Sequence, residues 1–369
     1  MPKKRILVLM KRFGSNRDMV KDNFGREIRL FEQLVSKYDI DFICPDYYFH
    51  EQFRININGV NFFVVPASFL NPFQILFAVN RMIKIGKYDL IVPTTEPILG
   101  IIGYFFAKKF SIKILYEVQD NYETYASYKL PFVKNLEYNV IKKSDFVFYS
   151  NYELMKKFRF LRKDRIGVVE SGVDLKLFKL IPKDVARKAL KINENIKLVT
   201  YTGSISKVRG IDLLIEAIER IREIKNNIYL LLSGKVEDNV INVQKPWIFY
   251  KELPKREQVV QALNASDVLV IPSTDNPVTR YAFPQKLFEY MSVNVPIAAT
   301  AVGDVKRVLL HFKESLCMPN SADELRVRIL SQLGKKSVNY RKAAANYTWE
   351  KLSKKLDKII KKVIERTAA

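Results

Sequence analysis

Between residues 198 and 216 the chain passes from a continuous apolar run to a helical period. Leu198 to Thr202 reads as a buried strand. Ile211, Leu214, Ile215 and Ile218 then fall at i, i+3, i+4 and i+7, one face of a helix opening at Gly210. The alternation recurs along the whole chain. In the first half, strands are predicted at 5–10, 40–44, 61–65, 89–92, 113–116, 145–149 and 166–169. Helical stretches lie between many of them, notably 25–36 and 97–110. The second half repeats the scheme, with strands at 197–202, 228–233, 267–272 and 296–300. Apolar strands spaced in this way imply parallel sheets covered on both faces. The expected architecture is therefore α/β, two doubly wound domains with ligands at the carboxyl ends of the strands, facing an interdomain cleft. The break falls near 170–174, ahead of a charged, irregular region over 175–194, which gives domains of 1–172 and 173–349. Trp349 opens a Lys-rich final helix carried by residues 350–369, with Leu352, Leu356, Ile359, Ile360 and Val363 at helical spacing. The most apolar run, 97–110, is well short of the ~20 residues that span a bilayer and reads as a buried helix.

Candidate chemistry sits at two strand–helix junctions. After the strand at 197–202 come Gly203, Ser204 and Ser206, then Lys207 and Arg209 on either side of Val208. A helix amino end presents unpaired N–H groups and a partial positive charge, a natural seat for phosphate. Two cations placed there oppose the helix dipole unless an anion joins them. The competing reading is a plain corner with solvated Lys and Arg. The second junction, 280–300, follows the strand at 267–272 and a polar turn at 273–276. Pro284 fits the first turn of a helix whose apolar face is Leu287, Tyr290 and Met291. Glu289 falls on the edge of that face. A carboxylate there suits the vicinal diol of a ribose; the alternative is a surface Glu beside Lys286.

Both segments, in this order and separation, resemble the C-terminal half of family 4 glycosyltransferases, which have the GT-B fold. Ser171 to Phe178, SGVDLKLF, is similar to the family's NGVDxxxF signature, and 230–234, 265–273 and Trp349 also match. The resemblance covers most of 166–360. It implies an N-terminal Rossmann-like acceptor domain, a C-terminal Rossmann-like domain for the nucleotide sugar, and a final helix crossing back to the first domain. By the same resemblance Lys207 and Arg209 grip the donor's diphosphate within the Gly203–Ser204–Gly210 loop, and Glu289 binds the ribose. Phe283 and Lys286 belong to a subgroup form, Pro-x-Lys-Leu-x-Glu-Tyr-Met, in which Lys286 helps hold the phosphates. Gly25 matches the helix-opening glycine of the acceptor-side loop, where Lys11, Arg12 and Arg17 are candidates for an acceptor phosphate; a basic surface loop is the alternative. The chain departs from the family at Tyr281, where the first Glu of the E-x7-E pair belongs, at Ser204, where a basic residue belongs, and at Ser171, where Asn is usual. The catalytic His that many GT-B enzymes carry after an N-terminal strand is also missing. Asp120 and Glu117 are the polar groups at that place, with Asp120 either catalytic or the start of a turn. The implied activity is sugar transfer from a nucleotide-diphosphate sugar to an acceptor, with retention. The nucleotide sugar acts as co-substrate, with no cofactor and no metal. Catalysis would rest on electrostatic stabilisation of the departing diphosphate.

Composition narrows the alternatives. Cys44 and Cys317 lie in separate halves, with neither a disulfide framework nor metal spacing, which suits a reducing cytoplasm. His50 and His311 are the only histidines and neither lies near a companion motif, which disfavours a Ser–His–Asp triad or a His-based metal site. The first residues run straight into a strand, too short for a signal sequence. The first loop lacks G-x-G-x-x-G, which disfavours an NAD site. The net charge of +23 calls for a polyanionic surrounding or a Lys-rich surface. No nucleic-acid motif is present, so nucleic acid is not an expected partner. Basic residues instead interleave with aromatic ones at 69–87 and 155–165, stretches that suit an anionic membrane surface or a core helix with a solvated basic face. Expected partners are therefore a nucleotide sugar, a lipid-linked or glycan acceptor, and an anionic membrane, with the protein cytoplasmic or peripheral on the inner face of the cell membrane. Two rivals stay open. One is a nucleotide-sugar epimerase or hydrolase on the same fold, drawing on Glu96, Glu117, Asp120 and Glu123. The other is a basic nucleic-acid-binding protein.

Overall fold

A computed structural model describes residues 2–14, 17–68, 73–238, 240–335 and 338–365. The chain divides into two compact units, Met1–Ser171 with Trp349–Ala369, and Gly172–Thr348.

The first unit holds strands β1 (Lys4–Leu9), β2 (Tyr38–Asp46), β3 (Phe53–Ile57), β4 (Val60–Pro66), β5 (Leu90–Pro93), β6 (Lys113–Val118), β7 (Phe146–Tyr149) and β8 (Ile166–Val168). They form one sheet in the order β8-β7-β6-β5-β1-β2-β4-β3. Every pairing is parallel except β3 with β4, a hairpin at the sheet edge. Its turn, Asn58-Gly59, has positive φ at both residues, as a two-residue hairpin loop requires. Side chains of β1 alternate between two cores. Ile6 and Val8 face helix α1 (Arg26–Phe31) and the final helix, Trp349–Ile364. Leu7 and Leu9 face α2 (Phe73–Gly86) and α3 (Pro97–Lys109). Helices α4 (Val133–Lys143) and α5 (Tyr152–Phe158) complete the unit. The final helix buries Leu352, Leu356, Ile360 and Val363 in the first core. It is also tied by Tyr38 Oη donating to Asp357 at 2.8 Å and by Ser353 Oγ donating to the Leu30 carbonyl at 2.7 Å.

In the second unit β9 (Lys197–Thr202), β10 (Ile228–Ser233), β11 (Ile248–Tyr250), β12 (Val268–Ile271), β13 (Ile297–Thr300) and β14 (Leu316–Cys317) form a parallel sheet in the order β11-β10-β9-β12-β13-β14. The region expected to be irregular at 175–194 contains α6 (Lys183–Leu190). Arg187 anchors this helix, donating to the Ala265 carbonyl at 3.0 Å and to Asp267 at 2.7 Å. Helices α7 (Ile211–Arg222) and α8 (Arg256–Ala265) follow. Pro284 does not open a helix. Pro277 does, as the first residue of α9 (Pro277–Tyr281), because the Asn276 side chain caps the N–H groups of Val278 and Thr279. Helix α10 begins only at Lys286 and runs to Ser292. In each sheet the strand order reverses once, between β1 and β5 and between β9 and β12, and ligands of doubly wound sheets bind at such points.

Candidate active site

At the β9/β12 reversal the chain leaves β9 through Gly203, whose φ of 129° suits glycine. Tyr201 Oη donates to the Ser204 carbonyl at 2.8 Å, and the Ser204 hydroxyl donates to Glu237. Lys207–Arg209 forms one 3-10 turn, and Gly210, with φ of 76°, leads into α7. A Cβ at Gly210 would lie 1.9 Å from the Pro272 carbonyl oxygen, so only glycine lets the loop close against the end of β12. Among the described residues neither the Lys207 nor the Arg209 side chain has an ion pair or a hydrogen bond, although both backbones bond within the turn.

Lys286 reaches the same place from α10. Its Nζ lies 3.8 Å from the Tyr201 ring centroid, and a Cβ on Gly203 would meet that Nζ at 2.5 Å. No carboxylate bonds it among the described residues. Burial holds its pKa well below the usual lysine value, and Arg209 depresses it further while Glu289 acts the other way. Buried Arg12, by contrast, is matched by Asp18, Asp46 and Glu51.

Glu289 is 8 % exposed, so it is not a surface carboxylate beside Lys286. Its Oε1 accepts from Arg256 Nη2 at 2.6 Å, and the Arg256 guanidinium lies 4.9 Å from the Phe178 ring centroid. Tyr290 Oη accepts from the Thr202 N–H at 2.8 Å, fastening α10 to the end of β9. Arg256 escaped the sequence reading because its partners lie on other elements and no local period marks it. Phe283 stacks on Phe288 at 5.0 Å and packs into the core behind the site.

The other sequence candidates lie in the first unit. Gly25, with φ of 125°, precedes α1. Asp120 follows β6 and accepts from Tyr125 Oη at 3.0 Å; burial and the adjacent Asp120 push that phenol's pKa upward. Arg12 is not available for a phosphate grip. Arg12 is spent on three carboxylates, and Arg17 lies over the Phe24 ring at 5.2 Å. Among the described residues no three His, Cys, Asp or Glu side chains are grouped to hold a metal ion. No helix there is long and apolar enough to cross a membrane.

Two doubly wound units, with the last helix returned to the first, define a GT-B fold. Residues 182–351 match the family described as glycosyl transferases group 1. Sucrose-phosphate synthase from Thermosynechococcus elongatus superposes with a TM-score of 0.76 at 18% identity, covering 99% of this chain and 100% of that one. Anabaena HepE in complex with UDP does so with a TM-score of 0.75 at 15% identity, covering 97% and 100%. In sequence, the D-inositol 3-phosphate glycosyltransferase of Mycobacteroides abscessus is 24% identical over 198 residues, 50% of this chain and 44% of that protein. A putative teichuronic acid biosynthesis glycosyltransferase, TuaC of Bacillus subtilis, is 28% identical over 143 residues, 39% of this chain and 34% of that protein. The chain thus spans less than half the length of these relatives.

Proposed function

We propose that this protein is a glycosyltransferase that moves a sugar from a nucleoside-diphosphate sugar to an acceptor hydroxyl, with retention. Lys207, Arg209, Lys286 and the amino end of α7 hold the diphosphate, and Glu289, steadied by Arg256, holds the ribose. The observation that carries this reading is the set of three basic side chains at the β9/β12 reversal, Lys207, Arg209 and buried Lys286, that have no carboxylate partner among the described residues. An anion there both completes the charge balance and favours the charged form of Lys286. As the bond from the sugar's anomeric carbon to the phosphate oxygen breaks, negative charge gathers on the diphosphate, and cations already in place stabilise it. The acceptor oxygen bonds to the anomeric carbon on the same face, and its proton passes to the departing phosphate oxygen. This step asks for no protein nucleophile, cofactor or metal. The names of the relatives support glycosyl transfer, and the UDP bound to HepE supports a uridine donor as the first to try. The test is release of free nucleotide from UDP-, GDP- and ADP-sugars, with and without lipid-linked and free glycan acceptors. Acceptor-dependent release supports transfer. Slow release that no acceptor quickens favours hydrolysis, and salt-sensitive RNA or DNA binding without any release favours the nucleic-acid reading.

The acceptor is proposed to be lipid-linked, with the first unit resting on an anionic membrane. Support comes from the outer side of α2, where Phe73, Phe77 and Ile85 are 62, 73 and 71 % exposed beside exposed Arg81, Lys84 and Lys87. Phe69, at the start of that stretch, lies outside the described residues. The stretch at 155–165 contributes less than its composition implies. Phe158 is buried, and the Arg162 guanidinium is turned inward to the carbonyls of Ile141 and Ser144, which leaves Phe160 exposed.

A further inference from the structure

The strand order of the first sheet reverses between β1 and β5, which makes the carboxyl ends of these strands the expected ligand position of that unit. Lys11 follows β1, Thr94 to Glu96 follow β5, and Glu117 and Asp120 lie at and just beyond the end of β6. The Lys11 N–H donates to Thr95 Oγ1 at 3.0 Å, and Thr94 Oγ1 donates to Glu117 at 2.6 Å, so the segments meet there. The charge at this place is acidic. Glu27, Glu96, Glu117 and Asp120 stand against Arg26 and Lys11, and Arg26 is already committed to Glu117 at 2.6 Å. Arg12 of the neighbouring loop does not redress the balance, because it is consumed by its own carboxylates.

Among the described residues two buried atoms here lack a hydrogen-bond partner, Glu27 Oε1 and Arg26 Nη1, an acceptor and a donor that together suit a hydroxyl. Glu27 is 1 % exposed, and its Oε1 has no hydrogen bond. The side chain folds back over Gly25, where a Cβ would come within 3.1 Å of its Oε2, and it is close enough to Glu117, Arg26 and Lys11 to feel their charges. Burial first, and then Glu117, raise its pKa to about 7. A buried carboxyl with an unpartnered oxygen, pushed toward its protonated form, donates as well as accepts, which matches a hydroxyl. A phosphate brought here meets four carboxyl groups against two cations, Arg26, which is paired with Glu117, and Lys11, which lies over the Tyr125 ring at 5.3 Å. A metal cation finds no grouped ligand set among the described residues.

We infer that this end of the first sheet receives a neutral, hydroxyl-bearing sugar of the acceptor, and that Glu27 recognises one of its hydroxyls, directly or through one water. A sugar phosphate is discriminated against at the same place. The inference rests on the transferase reading above and deepens it, since it names the class of accepting group.

The full chain and its Glu27→Gln variant are titrated, by ligand-observed NMR in the presence of UDP, with methyl glucoside, methyl mannoside, N-acetylglucosamine and inositol. Glucose 6-phosphate and inositol phosphate serve as the charged counterparts. Calorimetric UDP binding is read separately. At least one neutral probe should bind, its phosphorylated counterpart about tenfold or more weaker. Glu27→Gln should weaken the neutral probe about tenfold with UDP affinity unchanged, the scale of one lost hydrogen bond to a charged group. Three results overturn the inference: a phosphorylated probe that binds as tightly as its neutral counterpart, no binding by any neutral probe, or a variant that keeps both UDP and neutral-sugar affinity. Neutral-probe binding without UDP binding supports this inference and counts against the donor reading, so the two fail separately.

Discussion

Lys286 shows most sharply how a site residue works against the fold that carries it. Its amino group sits against Gly203 and the Tyr201 ring, and among the described residues no carboxylate bonds it to offset its desolvation. Its folded pKa lies below the unfolded one, so the unfolded chain binds the proton more tightly. Stability therefore rises with pH between the folded value and the unfolded value of about 10.4. A bound diphosphate reverses the balance by favouring the charged form. Lys286→Met should raise Tm at pH 7 by about 2–4 °C, the shift that roughly 1 kcal/mol produces in a unit of this size. It should also flatten the alkaline rise in stability and weaken UDP binding. Thermal scans from pH 7 to 10 with parallel UDP titrations check this. A lower Tm with unchanged UDP affinity would show that Lys286 is only a packing residue.

At the level of elements, the β9–α7 junction depends on Gly210. Gly210→Ala must both hold a positive φ and place a methyl against the Pro272 carbonyl. It should destabilise the second unit by about 2–4 kcal/mol in urea unfolding, a size reserved for overpacking and backbone strain. Gly334→Ala, whose added Cβ would lie an ordinary 3.6 Å from the Ser331 carbonyl, serves as the control and should change little. The same junction explains what a sequence discloses. Its strand run, its small-residue loop and its helical period are local signals, and they place Gly203, Lys207, Arg209 and Gly210 in the connection between β9 and α7. The edge strand β3 escaped because FRINI is half polar and exposed, although Asn58-Gly59 beside it is a hairpin signal. Helix α6 escaped because a buried arginine is at its centre, and that burial makes sense only with Asp267, 80 residues away. The pairing of Arg256 with Glu289 and the neutralisation of Arg12 are likewise set by distant elements. For that reason a loop that reads as basic in sequence holds a matched ion cluster in the fold.

For the molecule as a whole, the positive charge and the exposed aromatic residues of α2 make a claim independent of the donor site. The protein should sediment with anionic vesicles at low salt and be released as salt rises, since screening removes the attraction of its cations. Phe73→Ser with Phe77→Ser should weaken this binding without changing UDP affinity. Equal binding to neutral vesicles, or none to anionic ones, would leave the charge as surface composition. The central claim is that the cations at the β9/β12 reversal hold a diphosphate. It is tested most directly by calorimetric titration of the wild type and the Lys207→Ala, Arg209→Ala double variant with UDP and with uridine. The account predicts that the double variant loses about tenfold or more in UDP affinity, the scale of a lost charge-assisted hydrogen bond, and almost nothing for uridine. Equal UDP affinity in the two proteins would contradict it.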